Sequence, residues 1–281
     1  MTLETGGYVI SSIHLVIQAL ILLFGIAFLT IFDCSDFEEM VNVAEGRICY
    51  FNRGNCMCVS GGTSVTNPNA YPYQAAVLCP VIMCSGAVVS SRSVVTTATC
   101  VKNLSPEDIK LYVGSNKYYS GGFTHAVADI TTHPNFNPNT YDNNIAVLTS
   151  ATEFENVVVP IPIATTQPVD GTSLLATGFG AVDADLTLPD TLQRADLVAF
   201  GLTKCQALKQ NKLTGSMFCA GNPNGLKDLC PADQGAPLVY QNKLYGIYSW
   251  GCSCGLAAPN SNSPVFTSIV NLGSWIQSTI A

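Results

Sequence analysis

The sequence predicts an all-β fold, a barrel or a sandwich, for the part of the chain that begins at Val59. Short apolar runs recur along this part, and clusters of glycine, proline, asparagine or serine separate many of them, as in proteins built from short strands joined by turns. Residues 269–276 have apolar side chains at helical spacing, which predicts a terminal helix. The predicted strands are Ala75–Leu78, Ser85–Val89, Val94–Thr97, Leu111–Val113, Ala126–Thr131, Ile145–Leu148, Ser173–Thr177, Pro237–Tyr240 and Leu244–Ser249.

Two segments precede this domain. From Tyr8 to Phe32 the chain is almost entirely apolar and carries no charge, and the run is long enough to cross a bilayer as a helix, which takes about 20 residues. Residues 1–32 are therefore interpreted as an N-terminal hydrophobic helix, either a signal anchor or a cleaved signal peptide, and both alternatives stay open. Residues 33–58 hold four cysteines and are interpreted as a pro-segment or linker, whose cleavage the sequence does not decide.

The composition indicates which cellular compartment and which classes of binding partner suit the chain. The chain has 12 Lys and Arg against 19 Asp and Glu, a net charge of -7, so it lacks the basic surface that nucleic acids require. Its 12 cysteines favour disulfides in an oxidising, extracellular compartment. The three histidines lie away from cysteine pairs, and the short pairs of cysteines lack the two-residue gap of common zinc sites. The sequence predicts no metal and no cofactor.

A series of motifs follows the predicted strands in order. They are Val59-Ser60-Gly61-Gly62, Cys84-Ser85-Gly86-Ala87-Val88, the run from Val94 to Cys100, His133-Pro134, the run from Asp142 to Leu148, Gly178-Phe179-Gly180, Met217-Phe218-Cys219-Ala220-Gly221, the run from Asp228 to Pro237 and the run from Gly246 to Gly251. In this order and at this spacing they resemble the motifs of trypsin-like, chymotrypsin-fold serine proteases. The resemblance implies two packed six-stranded antiparallel barrels with a C-terminal helix and an active cleft between the barrels, over residues 59–281.

The family's catalytic residues have other side chains here. Where the resemblance places the histidine, this chain has Thr99; Asn144 stands at the aspartate and Gln234 at the serine. Threonine cannot act as a base near neutral pH, asparagine cannot stabilise an imidazolium by charge, and glutamine is no useful nucleophile. The sequence therefore predicts that the chain is not an enzyme but a catalytically inactive serine protease homologue of the arthropod type.

The resemblance also assigns positions around the triad. Ala232 stands at the glycine of the oxyanion hole, and Asp233 matches the acid that receives the new N-terminus when a zymogen is activated. Asp228 matches the acid at the floor of the specificity pocket. Ser253 and Pro264 occupy wall positions of that pocket where the family favours glycine, so all three are interpreted as relics of it.

Cysteine pairing and modification follow from the same resemblance and from the residues. The resemblance implies the disulfides Cys84–Cys100, Cys205–Cys219 and Cys230–Cys254. The sequence leaves open the pairing of Cys34, Cys49, Cys56, Cys58, Cys79 and Cys252. Asn103-Leu104-Ser105 is a glycosylation sequon, usable in the secretory pathway. No cluster of acids lies between residues 111 and 128, where family members bind calcium, so no calcium is expected there.

The predicted function is that of a pseudoprotease that acts by protein binding, as a decoy, cofactor or inhibitor in extracellular proteolysis. Its partners would be extracellular proteins, among them proteases or protease inhibitors, and not nucleic acid. The predicted location is extracellular, secreted or tethered to a membrane by the N-terminal segment. Two alternatives stay open: an active serine-type endopeptidase with unorthodox catalytic residues, and a membrane-tethered adhesion or structural protein that reuses the fold.

Overall fold

A computed structural model describes residues 62–181, 187–210, 212–222, 229, 232–251 and 263–280. The predicted N-terminal helix of residues 1–32 and the predicted pro-segment of residues 33–58 lie outside these residues. Within the described ranges, no helix has the length and apolar character needed to cross a membrane.

Short strands make up most of the regular secondary structure of the described residues, and the helices are shorter than three turns. The strands are β1 Thr63–Ser64, β2 Gln74–Leu78, β3 Met83–Val88, β4 Ser93–Thr96, β5 Lys110–Val113, β6 Phe123–Thr132, β7 Ala146–Ser150, β8 Ser173–Gly178, β9 Gln193–Phe200, β10 Met217–Gly221, β11 Pro237–Tyr240, β12 Lys243–Trp250 and β13 Val265–Ser268. The helices are α1 Ala98–Val101, α2 Leu202–Leu208 and α3 Gly273–Thr279, with a 3₁₀ turn at Pro106–Asp108.

The first barrel closes in the strand order β2–β3–β4–β7–β6–β5, and every pairing is antiparallel. Its interior is filled by aliphatic side chains that are fully buried, among them Val77, Val94, Leu111 and Leu148. β-Branched and aliphatic residues fit the pleated inner face of a strand, which is why these short runs form strands. The loops at the two ends of this barrel are therefore held by a rigid frame.

The second barrel closes in the order β8–β9–β10–β13–β12–β11, and β1 adds to β9 beside β10. Leu174, Leu197, Leu238 and Phe266 are buried within it. A third apolar cluster lies between the barrels and combines Val95 and Ile145 of the first with Leu244 and Ile247 of the second. This shared core fixes the two barrels against each other, so that loops from both can form one site.

The structure confirms the predicted all-β class, with two six-stranded antiparallel barrels and a C-terminal helix. The helix begins at Gly273 rather than at residue 269. Ile269 and Leu272 lie in the turn before it, and their side chains pack into the apolar cluster between the barrels. Strands β1, β9, β10 and β13 are absent from the strands predicted from the sequence. In β9 the half-exposed Arg194 and the exposed Asp196 interrupt the apolar run.

Candidate functional site

Helix α1 brings Thr99 to the end of the first barrel. The helix begins directly after β4, and a disulfide between Cys84 and Cys100 ties it to β3. The Thr99 hydroxyl donates to Thr97 Oγ1 at 3.2 Å. Four residues are too few for a helix to be stable alone, so the disulfide and the barrel beneath it set the position of Thr99.

Asn144 lies beside Thr99 and is fully buried. The Thr99 backbone N–H donates to Asn144 Oδ1 at 3.0 Å, and Asn144 Nδ2 donates to Thr99 Oγ1 at 3.2 Å. The same Nδ2 donates to Ser249 Oγ of the second barrel at 2.9 Å, and Thr267 Oγ1 donates to the Asn144 carbonyl at 2.9 Å. The buried amide is therefore satisfied by a neutral network that joins the two barrels.

Gln234 lies against the disulfide that holds α1. Its Oε1 is 3.8 Å from Cys100 Sγ, and its carbonyl accepts the Ser85 backbone N–H at 2.8 Å. The structure thus brings Thr99, Asn144 and Gln234 together around one short helix at the junction of the barrels. None of the three side chains has a group that titrates near neutral pH.

The loop that carries Asn144 is held from the second barrel. Asp142 Oδ1 accepts hydrogen bonds from the hydroxyls of Thr214 and Ser216, at 2.5 and 2.6 Å. Asn143 has a φ of 53°, and its backbone N–H donates to Ser216 Oγ. Sequence reasoning noted Asp142 but not these partners, because they lie 72 and 74 residues away and no local pattern marks them.

Ala232 adopts a backbone conformation that glycine favours, with a φ of 72°. This alanine stands where the resemblance places a glycine, and the chain nevertheless has left-handed geometry there. An alanine in that region costs on the order of 1 kcal/mol relative to glycine. Gly235, three residues on, has a φ of 83°, and a Cβ there would lie 2.1 Å from the Ser85 carbonyl oxygen, so only glycine fits.

Asp233 is fully buried beside the turn Gly178-Phe179-Gly180. Its Oδ1 accepts the Gly180 backbone N–H at 2.7 Å. A Cβ at Gly180 would lie 2.2 Å from Asp233 Cγ, so glycine at this position is what lets the carboxylate approach the backbone. The role of Asp233 as an acid that receives a new N-terminus stays a prediction.

An aromatic wall borders the cluster. The rings of Tyr141 and Trp250 stack with centroids 6.2 Å apart and an interplanar angle of 24°, and Lys209 Nζ lies 5.4 Å from the Trp250 ring centroid. Tyr141 precedes Asn144 by three residues, and Trp250 follows Ser249. The stack is therefore connected through the backbone to two members of the cluster, Asn144 and Ser249.

Strand β12 extends beyond the end of its pairing with β11. Its last ladder pair with β11 joins Ile247 to Pro237, whereas its pairing with β13 continues to Trp250. The Tyr248 carbonyl still accepts the Gly235 N–H. Ser249 and Trp250 have no strand partner on that side within the described ranges. A free strand edge next to the cluster can pair with an extended polypeptide.

The two histidines within the described residues form their hydrogen bonds with residues other than Thr99, Asn144 and Gln234. His125 is buried on β6, where its Nδ1 lies 2.8 Å from Thr152 Oγ1 and its Nε2 lies 3.0 Å from Glu155 Oε2. His133 Nδ1 accepts the Asn135 backbone N–H at 3.2 Å, and its ring packs edge-on against Trp275 at 4.8 Å. Both contacts anchor loops of the first barrel.

Several predicted positions lie at or beyond the limit of the described residues. Asp228, Ser253 and the predicted pair Cys230–Cys254 are outside them. Pro264 is buried, and its carbonyl accepts the Ala220 N–H at 3.3 Å. A disulfide also links Cys205 to Cys219. Among the described residues, no group of three or more His, Cys, Asp or Glu is placed to hold a metal ion.

Ser249 is a member of the site that sequence reasoning missed. It accepts a hydrogen bond from Asn144, which lies 105 residues earlier in the chain. A signal for it was present, because Ser249 lies within the motif from Gly246 to Gly251 that carries the family resemblance. That motif could have placed Ser249 near the triad positions, although not in contact with Asn144.

Comparison with known proteins shows which family and which individual proteins the sequence is similar to. The sequence profile of the Trypsin family matches residues 60–276. The chain is similar to the vitellin-degrading protease of Bombyx mori, 34% identical over 229 residues, which cover 79% of this chain and 85% of that protein. It is also similar to trypsin epsilon of Drosophila erecta, 31% identical over 222 residues (76% and 84%), and to trypsin of Sus scrofa, 32% identical over 221 residues (76% and 92%).

These relatives overturn the expectation that the chain is not an enzyme. Proteins 31–34% identical to it are named as trypsins and proteases, which favours an enzyme. The expectation rested on three side chains compared with a motif, and such a comparison does not include the other groups that a folded site brings to a reaction. Nothing in the comparisons indicates catalytic inactivity or a homologue of the arthropod type, since the relatives come from insects and mammals alike.

Proposed function

The chain belongs to the trypsin family of serine proteases, and we propose that its cleft binds an extended segment of another extracellular protein, with a role as decoy, cofactor or inhibitor in proteolysis. Binding an extended polypeptide is the step that hydrolysis and regulation share. The observation that carries the proposal is the edge of β12 at Ser249 and Trp250, which no described strand covers, beside the cluster of Thr99 and Asn144.

The neighbourhood of this edge supports polypeptide binding. An added strand gains main-chain hydrogen bonds from the edge, and side chains on either side of it give specificity. Here the Tyr141–Trp250 stack supplies an aromatic surface, and aromatic residues are frequent binding hot spots. The hydroxyl and amide groups of Thr99, Asn144 and Ser249 are hydrogen-bonded to one another, so the half-buried Thr99 is held in place before a partner binds.

An extracellular location is part of the proposal. Disulfides link Cys84 to Cys100 and Cys205 to Cys219, and disulfides persist in oxidising compartments. The apolar run from Tyr8 to Phe32 would direct the chain there, as a signal peptide or as an anchor. A tethered adhesion protein would use the same edge with a cell-surface partner.

The comparisons favour a second candidate function, cleavage by a serine-type endopeptidase with unorthodox residues. The support for this second function is that similar proteins are named as trypsins and proteases. It requires that a group in the cleft activates a nucleophile, and it makes hydrolysis depend on the cluster. Thr99→Ala and Gln234→Ala would then abolish a hydrolytic rate that the parent chain shows.

Binding and turnover are measured on the same purified chain. The probe is a small protein inhibitor of trypsin, which presents an extended loop, titrated by calorimetry; an arginyl ester and a peptide amide serve as substrates. We expect binding that Trp250→Ala weakens by about tenfold or more. Trp275→Ala is the control, because the chain has 2 tryptophans and Trp275 packs against His133, whereas Trp250 stacks on Tyr141 beside the edge of β12. An inhibitor that does not bind, or binds Trp250→Ala equally well, contradicts the proposal.

A further inference from the structure

An open cavity of about 380 Å³ lies on the first barrel, between α1 and β6. Its lining combines apolar side chains, with Val101 and Leu104 on one side and Ile130 and Phe136 on the other, with the polar side chains of Lys102 and Asn103. Asp129 and Thr132 add a carboxylate and a hydroxyl at its border. Small-molecule sites have volumes of roughly 300–1,000 Å³, so the cavity is large enough for a ligand of modest size.

Asn103 lines this cavity and is also the first residue of the sequon Asn103-Leu104-Ser105. It lies just past the end of α1 with a φ of 61°, a left-handed conformation that asparagine tolerates well after a helix. The residue is exposed. An amide that is exposed at a turn and borders a cavity is a suitable point of attachment for a carbohydrate.

We propose that Asn103 carries an N-linked glycan whose inner sugar residues pack into this cavity. A sugar ring has an apolar face of C–H groups and a rim of hydroxyls, and the cavity offers the matching surfaces. The Phe136 ring and the Leu104 and Ile130 side chains contact the apolar face, while the Asp129 carboxylate and the Thr132 hydroxyl accept hydrogen bonds from sugar hydroxyls.

The covalent link is what selects this occupant. A group attached at the border of a cavity has an effective concentration far above that of any free ligand, so weak contacts suffice to keep it in place. The glycan would hold α1 against β6. Because Thr99 lies on α1, four residues before Asn103, the same contacts would stabilise the helix that presents Thr99 to the cleft.

Access to the glycan tests the proposal. The full chain is expressed through the secretory pathway and treated, folded, with peptide N-glycosidase F. The control is Asn103→Asp combined with Ser91→Asn, which creates a sequon on the exposed turn between β3 and β4. We expect release from Asn103 to be about tenfold slower than release from the control site in the folded protein, and equal after denaturation. Equal rates in the folded state, or a secreted chain without a glycan on Asn103, overturn the proposal.

A double-mutant cycle tests the contact itself. Phe136→Ala removes the aromatic ring that lines the cavity but leaves the sequon intact. Asn103→Asp removes the glycan and keeps a residue that tolerates the left-handed conformation. We expect Phe136→Ala to lower the Tm roughly 2–4 °C more in the glycosylated chain than in the Asn103→Asp background. Equal losses in the two backgrounds overturn the proposal. The inference requires that the chain enters the secretory pathway. If the inference fails, the inhibitor titration with Trp250→Ala still tests the proposed function independently.

Discussion

Thr99 and Asn144 exchange two hydrogen bonds, one from the Thr99 backbone N–H to Asn144 Oδ1 and one from Asn144 Nδ2 to Thr99 Oγ1. In both of them a neutral group pairs with a neutral group. The second hydrogen bond from Asn144 Nδ2, to Ser249, joins this pair to the other barrel. The pair therefore links the two halves of the fold.

Asn144→Ala should destabilise the domain by about 2–3 kcal/mol. The substitution removes the acceptor of the half-buried Thr99 N–H and the donor to the fully buried Ser249 hydroxyl, and a buried group without a partner costs most of its desolvation free energy. The free energy of unfolding in urea measures the loss. Asn139→Ala, at an exposed residue of the same loop, is the control and should change stability by about 0.5 kcal/mol or less. Equal effects would show that Asn144 does not hold the barrels together.

Ala232→Gly should stabilise the domain by about 1 kcal/mol. The backbone at Ala232 has a φ of 72°, where glycine has no steric penalty, and this gain exceeds the added freedom of the unfolded chain. Ala236→Gly is the matched control. Ala236 is fully buried in the second barrel, so removing its methyl group should destabilise. A loss of stability in Ala232→Gly, measured by denaturant unfolding, would show that the alanine is not strained.

His133 should make stability depend on pH below neutrality. Burial lowers the pKa of His133 from its ordinary 6.5, and the Asp142 carboxylate opposes that shift. The unfolded chain therefore takes up the proton more readily than the folded one. The contribution of neutral His133 is present above pH 6.5 and is lost as the pH falls through the unfolded and then the folded pKa.

The measurement compares the unfolding free energy of the parent chain with that of His133→Phe from pH 5 to pH 8.5. Phenylalanine keeps an aromatic ring beside Trp275. Lowering the pH from 7 to 5 should reduce the stability of the parent relative to the variant, whereas the difference should be constant above pH 7.5. A difference that stays the same across the whole range would contradict the assignment.

The Cys79 thiol should react slowly with iodoacetamide at neutral pH. Burial, with a smaller contribution from the Asp108 carboxylate, raises the pKa of Cys79 to about 11, and the thiolate is the reactive form. The alkylation rate, followed by peptide mass spectrometry, should rise about tenfold per pH unit from pH 8 to pH 10. Asp108→Asn should raise the rate at pH 8. A rate that levels off by pH 9 would mean an ordinary thiol, and no reaction at any pH would place Cys79 in a disulfide.

Local patterns determined much of the fold. The apolar runs that predicted strands are strands in the structure because short β-branched and aliphatic runs between turn residues pack well on the pleated surface of a sheet. The order of the motifs determined the family, and with it the place of Thr99, Asn144 and Gln234 on the chain. It did not determine activity, and the comparisons reversed the prediction drawn from those three side chains.

Other features were decided by the tertiary structure. No sequence pattern shows that Asn144 donates to a serine 105 residues later, or that Asp142 accepts from Thr214 and Ser216. These contacts exist because the apolar cluster between the barrels fixes loops from distant parts of the chain against each other. The same holds for the cavity beside Asn103, whose two walls come from α1 and β6. The amino-acid sequence by itself sets which residues form strands and turns, while the packing of one barrel on the other sets which of their side chains meet.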